Sequence, residues 1–212
     1  MKFKIICLVL TITSAQVSFS AAAGTEHPVE LQLAKTAMKT DLDLAEQHIE
    51  TALEKAPQDA EVQFICGRIM GQLAENAIFS ALSYAKKSLA CLKKAVALQP
   101  GNTAYRKGLM SFYLGAPGIA GGDEQLALKE AIHIAQIDSL QGLLAKLSYY
   151  RKTEQTTQYQ ELLAQGCADY PEQAEFHYRH GLFLQENKRY GDASEAFDAA
   201  TQAKQDEAGI YH

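Results

Sequence analysis

Five times along this chain a bulky apolar residue is followed three positions later by alanine or glycine: Ile49/Ala52, Leu92/Ala95, Leu128/Ala131, Leu163/Gly166 and Phe197/Ala200. The small residues stand 43, 36, 35 and 34 positions apart, close to one helical hairpin per step. That is the signature of a repeat array rather than of a protein with one closed core. A small side chain lets a neighbouring helix approach, while the large one fills the groove beside it. Pro57, Pro100 and Pro171 each follow an amphipathic run and precede a polar pair. Proline cannot continue a helix, so each marks a seam where one unit stops and the next begins. Between the seams the pattern predicts helices over 29–39, 42–56, 60–74, 84–98, 103–114, 123–136, 139–152, 155–168, 174–187 and 190–204. No stretch alternates apolar and polar residues with enough β-branched character to argue for a sheet.

The fifth unit resembles a tetratricopeptide (TPR) repeat, with Gly181 in its first helix and Ala193, Phe197 and Ala200 in its second. The first unit carries the matching Ala45, Ile49, Ala52 and Pro57, and the second carries Gly67, Ser88, Leu92, Ala95 and Pro100. The middle units depart from the pattern, with Glu124 and Tyr159 where that family prefers alanine. The resemblance covers residues 29–207 and implies an all-α fold: an α-solenoid of about five TPR-like helical hairpins in a right-handed superhelix. The units fall at about 29–57, 60–100, 103–137, 139–171 and 174–207. Residues 208–212 read as the start of an incomplete unit or a tail, with Ala208 opening it and Tyr211 at the place of the first large aromatic.

Two insertions break the regular period. Residues Ile78 to Lys87 lengthen the second unit by about nine positions, and Leu114 to Asp123 form a glycine-rich stretch, Ala116-Pro117-Gly118-Ile119-Ala120-Gly121-Gly122. Both are similar to features of a group of exported bacterial TPR proteins to which no activity attaches. A glycine-rich loop before a helix can cradle an anion, but Asp123 at the helix start would cap the helix and repel a phosphate. No lysine follows Gly122, so the phosphate-loop pattern fails. The expectation is a structured connector that sets the angle between helices.

The first residues differ from the rest. Lys2 and Lys4 precede the short apolar run Ile5 to Ile12, and Ala21-Ala22-Ala23 supplies small residues for cleavage, which together read as a signal peptide over 1–23. A membrane span needs about twenty apolar residues, and Thr13, Ser14, Gln16 and Ser18 interrupt the run too early. Without residues 1–23 the formal charge moves from −5 to −7, and no cluster of five or more basic residues offsets it, so nucleic acid is a disfavoured partner. Export would place Cys66, Cys91 and Cys167 in an oxidising compartment. Three is an odd number and none forms a C-x-x-C pair, so the expectation is three small buried hydrophobes, a Cys66–Cys91 bridge being the alternative.

Candidate chemistry is sparse. His177 and His180 could share one face of a helix, but two ligands are too few for zinc. Glu130 and His133 form a single Glu-x-x-His step where di-iron bundles need two. No nucleophile elbow is present, and no serine or cysteine has a visible base beside it. The reading is therefore no enzyme, no catalytic residue, no metal and no cofactor. In a TPR array the first helix of each hairpin lines the concave face. Counting from the seams places Phe64, Arg68, Arg106, Met110, Tyr113, Leu144, Ser148, Arg151, Tyr178 and Leu182 on that binding stripe. Arginine grips carboxylates and aromatics supply rigid contact area, which suits a peptide or protein partner. The expected function is a non-catalytic interaction scaffold of the periplasm or secreted space, with no stable membrane insertion after signal cleavage. The alternative is a transport-associated or solute-binding component, which a hydrophobic channel in the repeat interior would favour.

Overall fold

A computed structural model describes residues 27–209, with side chains through residue 204. The expected signal peptide and Tyr211 lie outside the described residues. Among those described there are ten α-helices and no strand: α1 (Val29–Ala37), α2 (Leu42–Lys55), α3 (Ala60–Asn76), α4 (Ala81–Leu98), α5 (Thr103–Gly115), α6 (Glu124–Ile137), α7 (Ser139–Lys152), α8 (Thr156–Asp169), α9 (Ala174–Glu186) and α10 (Tyr190–Gly209). A single 3-10 turn, Gly118–Ala120, stands between α5 and α6. Each helix packs on the next in chain order, and the first helices of successive hairpins touch across α1/α3, α3/α5 and α5/α7. The chain is an α-solenoid of helical hairpins.

The seams are held by a device that recurs. Gln63 donates its side-chain N–H to the carbonyl of Pro57 at 2.9 Å, Arg106 Nε donates to Pro100 at 2.7 Å, and His177 Nε2 meets the carbonyl of Pro171 at 2.9 Å. In each case a donor six residues on satisfies a carbonyl that the interrupted helix leaves without a partner. Asp59 and Asn102 cap the helices that follow two of these prolines, accepting from Glu61 and Val62 and from Ala104 and Tyr105 respectively.

Small-on-large rungs set the spacing between helices. A Cβ on Gly67 would lie 2.6 Å from Leu92 Cγ, one on Gly181 would lie 2.5 Å from the Phe197 ring, and one on Gly166 would lie 2.3 Å from the Phe176 ring. Phe176, Ile49 and Leu163 are fully buried, as are Ala45, Ala52 and Ala131. Where the middle units depart from the family pattern the packing adjusts: Ala127 rather than Glu124 is buried on α6, and Tyr159 fills the place of an alanine, 5.8 Å from the Phe183 ring.

The expectation of three unpaired cysteines is corrected. Cys66 and Cys91 form a disulfide, with Cα atoms 6.0 Å apart, and Cys167 is free. The cause is the rung itself. Gly67 and Leu92 bring α3 and α4 together, and each is preceded by one of the two cysteines, so closing the rung also brings the sulfurs together. Burial pushes the free Cys167 thiol above its ordinary pKa, which leaves it a poor nucleophile.

Unfolding the protein from residue 24 onward without reductant should expose one thiol, and reduction should expose three. Replacing Cys66 and Cys91 together by serine should cost about 3–4 kcal/mol, the chain-entropy value for a loop of this length, read as a lower denaturation midpoint.

Candidate functional site

Both insertions meet at one place. The first extends α3 and α4 to 17 and 18 residues, so the hairpin overhangs its neighbour. The second forms the segment from Ala116 to Gly122 and folds back onto α4, where Ala120 is buried. Between them and α5 lies an open cavity of about 720 Å³. The extended part of α3 contributes Gly71, Gln72, Ala74 and Glu75, α4 contributes Ala81, Leu82 and Ala85, and α5 contributes Gly108, Ser111, Phe112 and Gly115. Ala116, Pro117 and Ile119 close one side, and Phe64, Arg68 and Leu92 line it further back along the hairpin.

The space exists because the wall residues are small. Gly71, Ala74, Ala81, Ala85 and Gly115 leave room that leucine would fill. The connector holds its shape through a compact set of bonds: Ala120 N–H to Pro117 at 2.8 Å, Gly121 N–H to Gly118 at 2.9 Å and Asp123 N–H to Tyr113 at 3.0 Å. Two glycines are required here. Gly121 has φ of 100° with Leu89 against it, and a Cβ on Gly122 would sit 1.7 Å from the carbonyl oxygen of Ala116. Asp123 accepts from the N–H groups of Gln125 and Leu126, capping α6.

Polar groups in the cavity are few. Ser88 is buried and engaged, its hydroxyl donating to the Gly67 carbonyl at 2.7 Å. Gln72 Oε1 is buried without a hydrogen-bond partner, a costly arrangement unless something else supplies the donor. Arg68 is exposed, its guanidinium 6.0 Å from the centre of the Phe64 ring. Among the described residues no carboxylate pairs with it. Both insertions carry exposed apolar side chains: Ile78 is 86% exposed, Phe79 100%, and Ile119, which lines the cavity, 76%.

The stripe counted from the seams is divided by the structure. Phe64 and Arg68 line the cavity, but on α5 the residues that do so are Gly108, Ser111 and Phe112. Met110 and Tyr113 are buried in the core with Ala127, Ala131 and Ile134. Arg106 is held by Glu130 at 2.7 Å as well as by Pro100, both side chains being mostly buried. A shift of one position turns a helical side chain by about 100°, enough to exchange cavity for core. Leu144 is half-buried against Leu143 and Leu147. Arg151 is exposed and paired with both carboxylate oxygens of Glu186, lying 5.6 Å from the Tyr159 ring. Tyr178 and Leu182 are exposed on α9, the Tyr178 ring 5.8 Å from Phe197. Sequence reasoning missed Gln72, Ala81, Ser111 and Phe112, although both insertions fall at the internal turns of consecutive hairpins and so belong to one edge of the array.

The histidine and acidic steps serve the fold. His177 makes the seam bond, and Glu130 faces Arg106, with His133 Nδ1 3.8 Å away. No group of three or more metal-binding side chains occurs among the described residues. Burial holds the His180 pKa below its ordinary 6.5, aided by Arg189 and His177 and opposed by Asp192.

With this geometry in hand, known proteins place the fold. No family model and no curated protein matches the chain. Solved structures do: a thermophilic TPR protein of Thermus thermophilus superposes with TM-score 0.58 at 17% identity, covering 86% of this chain and 93% of its own. PilW, a widely conserved type IV pilus biogenesis factor, gives 0.59 at 16% identity over 84% of this chain and 77% of its own. MamA gives 0.54 at 15% identity over 82% and 95%. The fold is TPR-like.

Arg106→Ala should lower stability by about 3 kcal/mol, because Glu130 is left as an uncompensated, mostly buried charge; denaturant unfolding measures it. The depressed His180 pKa means that the unfolded chain takes up the proton first. Stability is therefore whole above pH 6.5 and falls as pH drops toward the lower folded value. In His180→Gln, thermal melts between pH 7 and 5 should lose that component of the pH dependence.

Proposed function

We propose that this chain is an exported, non-catalytic scaffold that binds a protein or peptide partner along the first helices of its hairpins. The observation that carries the reading is a repeated arrangement about the rung glycines, in which Arg68, Tyr178 and Leu182 are exposed and Phe64 is partly buried against Tyr105. Phe64 and Arg68 flank Gly67 on α3 just as Tyr178 and Leu182 flank Gly181 on α9, and each glycine faces the large residue of its second helix. The rung therefore gives both pairs the same position on their hairpins, the second and the fifth of the array. Aromatic and arginine groups held on rigid helices suit partner recognition, since little side-chain entropy is lost on docking. Export is supported by the basic, apolar and small-residue order of residues 1–23 and by the Cys66–Cys91 disulfide, a bond kept in oxidising compartments.

A second reading is favoured by one specific observation. The cavity between α3, α4, α5 and the 116–122 connector is apolar, lies where the repeat is interrupted and has the size of a small-molecule site, for which roughly 300–1,000 Å³ is usual. It supports a solute-binding role, with transport association as its extension.

Crosslinking in the exporting cell tests the scaffold reading. Arg68→Glu combined with Tyr178→Ala should abolish capture of the partner while leaving the melting temperature within about 2 °C of the parent, as surface substitutions do. Capture undiminished by the double variant would overturn the binding face.

A further inference from the structure

Resting on the solute-binding reading, we infer that the cavity takes an acyl chain ending in a carboxylate, with a hydroxyl or amide N–H beside that head group. The two departures from the repeat supply the walls of a single space, although they are separated in sequence by most of α4 and α5. Lengthening one hairpin and folding a glycine connector onto it do nothing for the rungs that hold the solenoid together. What they create is a slot.

Its chemistry is graded along α3. Arg68, Gln72 and Glu75 follow one another on the face that lines the cavity, and the helix rise puts about 10 Å between the first and the last. Arg68 is a permanent cation with no carboxylate partner among the described residues, and it stands over the Phe64 ring in a partly apolar setting where a charge-assisted bond is strong. One turn away, Gln72 Oε1 is a buried acceptor lacking a donor. A head group that accepts from Arg68 and donates to Gln72 completes both. Glu75 repels a carboxylate from the other end, so the head has one orientation. The tail then runs past Gly71 and Ala74 toward Leu82, Pro117 and Ile119, all of which line the cavity.

An extended peptide fits less well. Each of its residues brings an N–H and a C=O that must be satisfied, whereas the lining is dominated by glycine, alanine, phenylalanine and leucine, with Ser88 already engaged. An aliphatic chain asks for no such partners. Ile119, which lines the cavity and is itself exposed, carries the apolar path outward.

The test is calorimetric titration of the protein purified from the exporting cell, with each amphiphile below its micelle concentration. The probes are dodecanoate, 3-hydroxydodecanoate, dodecyltrimethylammonium and an end-capped apolar hexapeptide. Dodecanoate should bind one to one, and 3-hydroxydodecanoate about fivefold tighter, as a newly satisfied buried acceptor implies. Arg68→Gln should weaken both acids about tenfold, Gln72→Leu should remove the advantage of the hydroxyl, and Ser111→Phe, which fills the slot from an exposed position, should abolish binding. Circular dichroism melts establish that each variant is folded. Dodecyltrimethylammonium binding as tightly as dodecanoate, or Arg68→Gln leaving affinity unchanged, overturns the carboxylate assignment and leaves solute binding standing. Saturable binding of the hexapeptide in place of the acids overturns the acyl ligand, and silence from every probe overturns the solute reading with it.

Discussion

Close approach of two helices where glycine or alanine faces a bulky side chain is the constraint on which the rest of this structure depends. Leu92 sits where a Cβ on Gly67 would have to be, and the Phe197 ring does the same at Gly181. An isolated hairpin cannot bury its apolar stripe, so each leans on the next, and the spacing of one rung is passed along the array. The Cys66–Cys91 bridge follows from that spacing, because the residue before each member of a rung is brought close as well. Seam bonds from Gln63, Arg106 and His177 to the preceding proline carbonyls tie each unit to the start of the next.

Against that regular background the cavity is a local exception with two causes. Extra turns on α3 and α4 project past the neighbouring hairpin, and the connector after α5 folds across the opening. Neither insertion would enclose space alone. Because consecutive hairpins turn on the same edge, lengthening one and elaborating the turn of the next necessarily places the additions side by side. A repeat scaffold can thus acquire a ligand-sized space without disturbing its rungs.

Side chains that invite a chemical reading prove to be occupied by architecture. Glu130 and His133 resemble half of a metal motif, yet Glu130 neutralises Arg106. Arg106 in turn is spent on a carboxylate and a proline carbonyl, which removes it from the open surface. Arg151 is exposed but clasped by Glu186. Arg68 differs from these because the helix positions around it carry no acid within reach.

Hydrophobic periodicity, the proline seams and the small-large spacing made the helices and their order readable from the chain alone, since each depends on neighbours within one or two turns. Helix ends were legible to within a few residues for the same reason, Asp59, Asn102 and Asp123 being local caps. Rotation about each helix axis was not. Counting from a seam put Phe64, Arg68, Met110 and Tyr113 on one outward stripe; Phe64 and Arg68 line the cavity whereas Met110 and Tyr113 are buried, because one residue of register is about 100°. The Cys66–Cys91 pairing and the cavity also waited for tertiary structure. Both arise from distances between helices, and those distances are set by how glycine and its large partner interlock across the hairpin rather than by either segment taken singly.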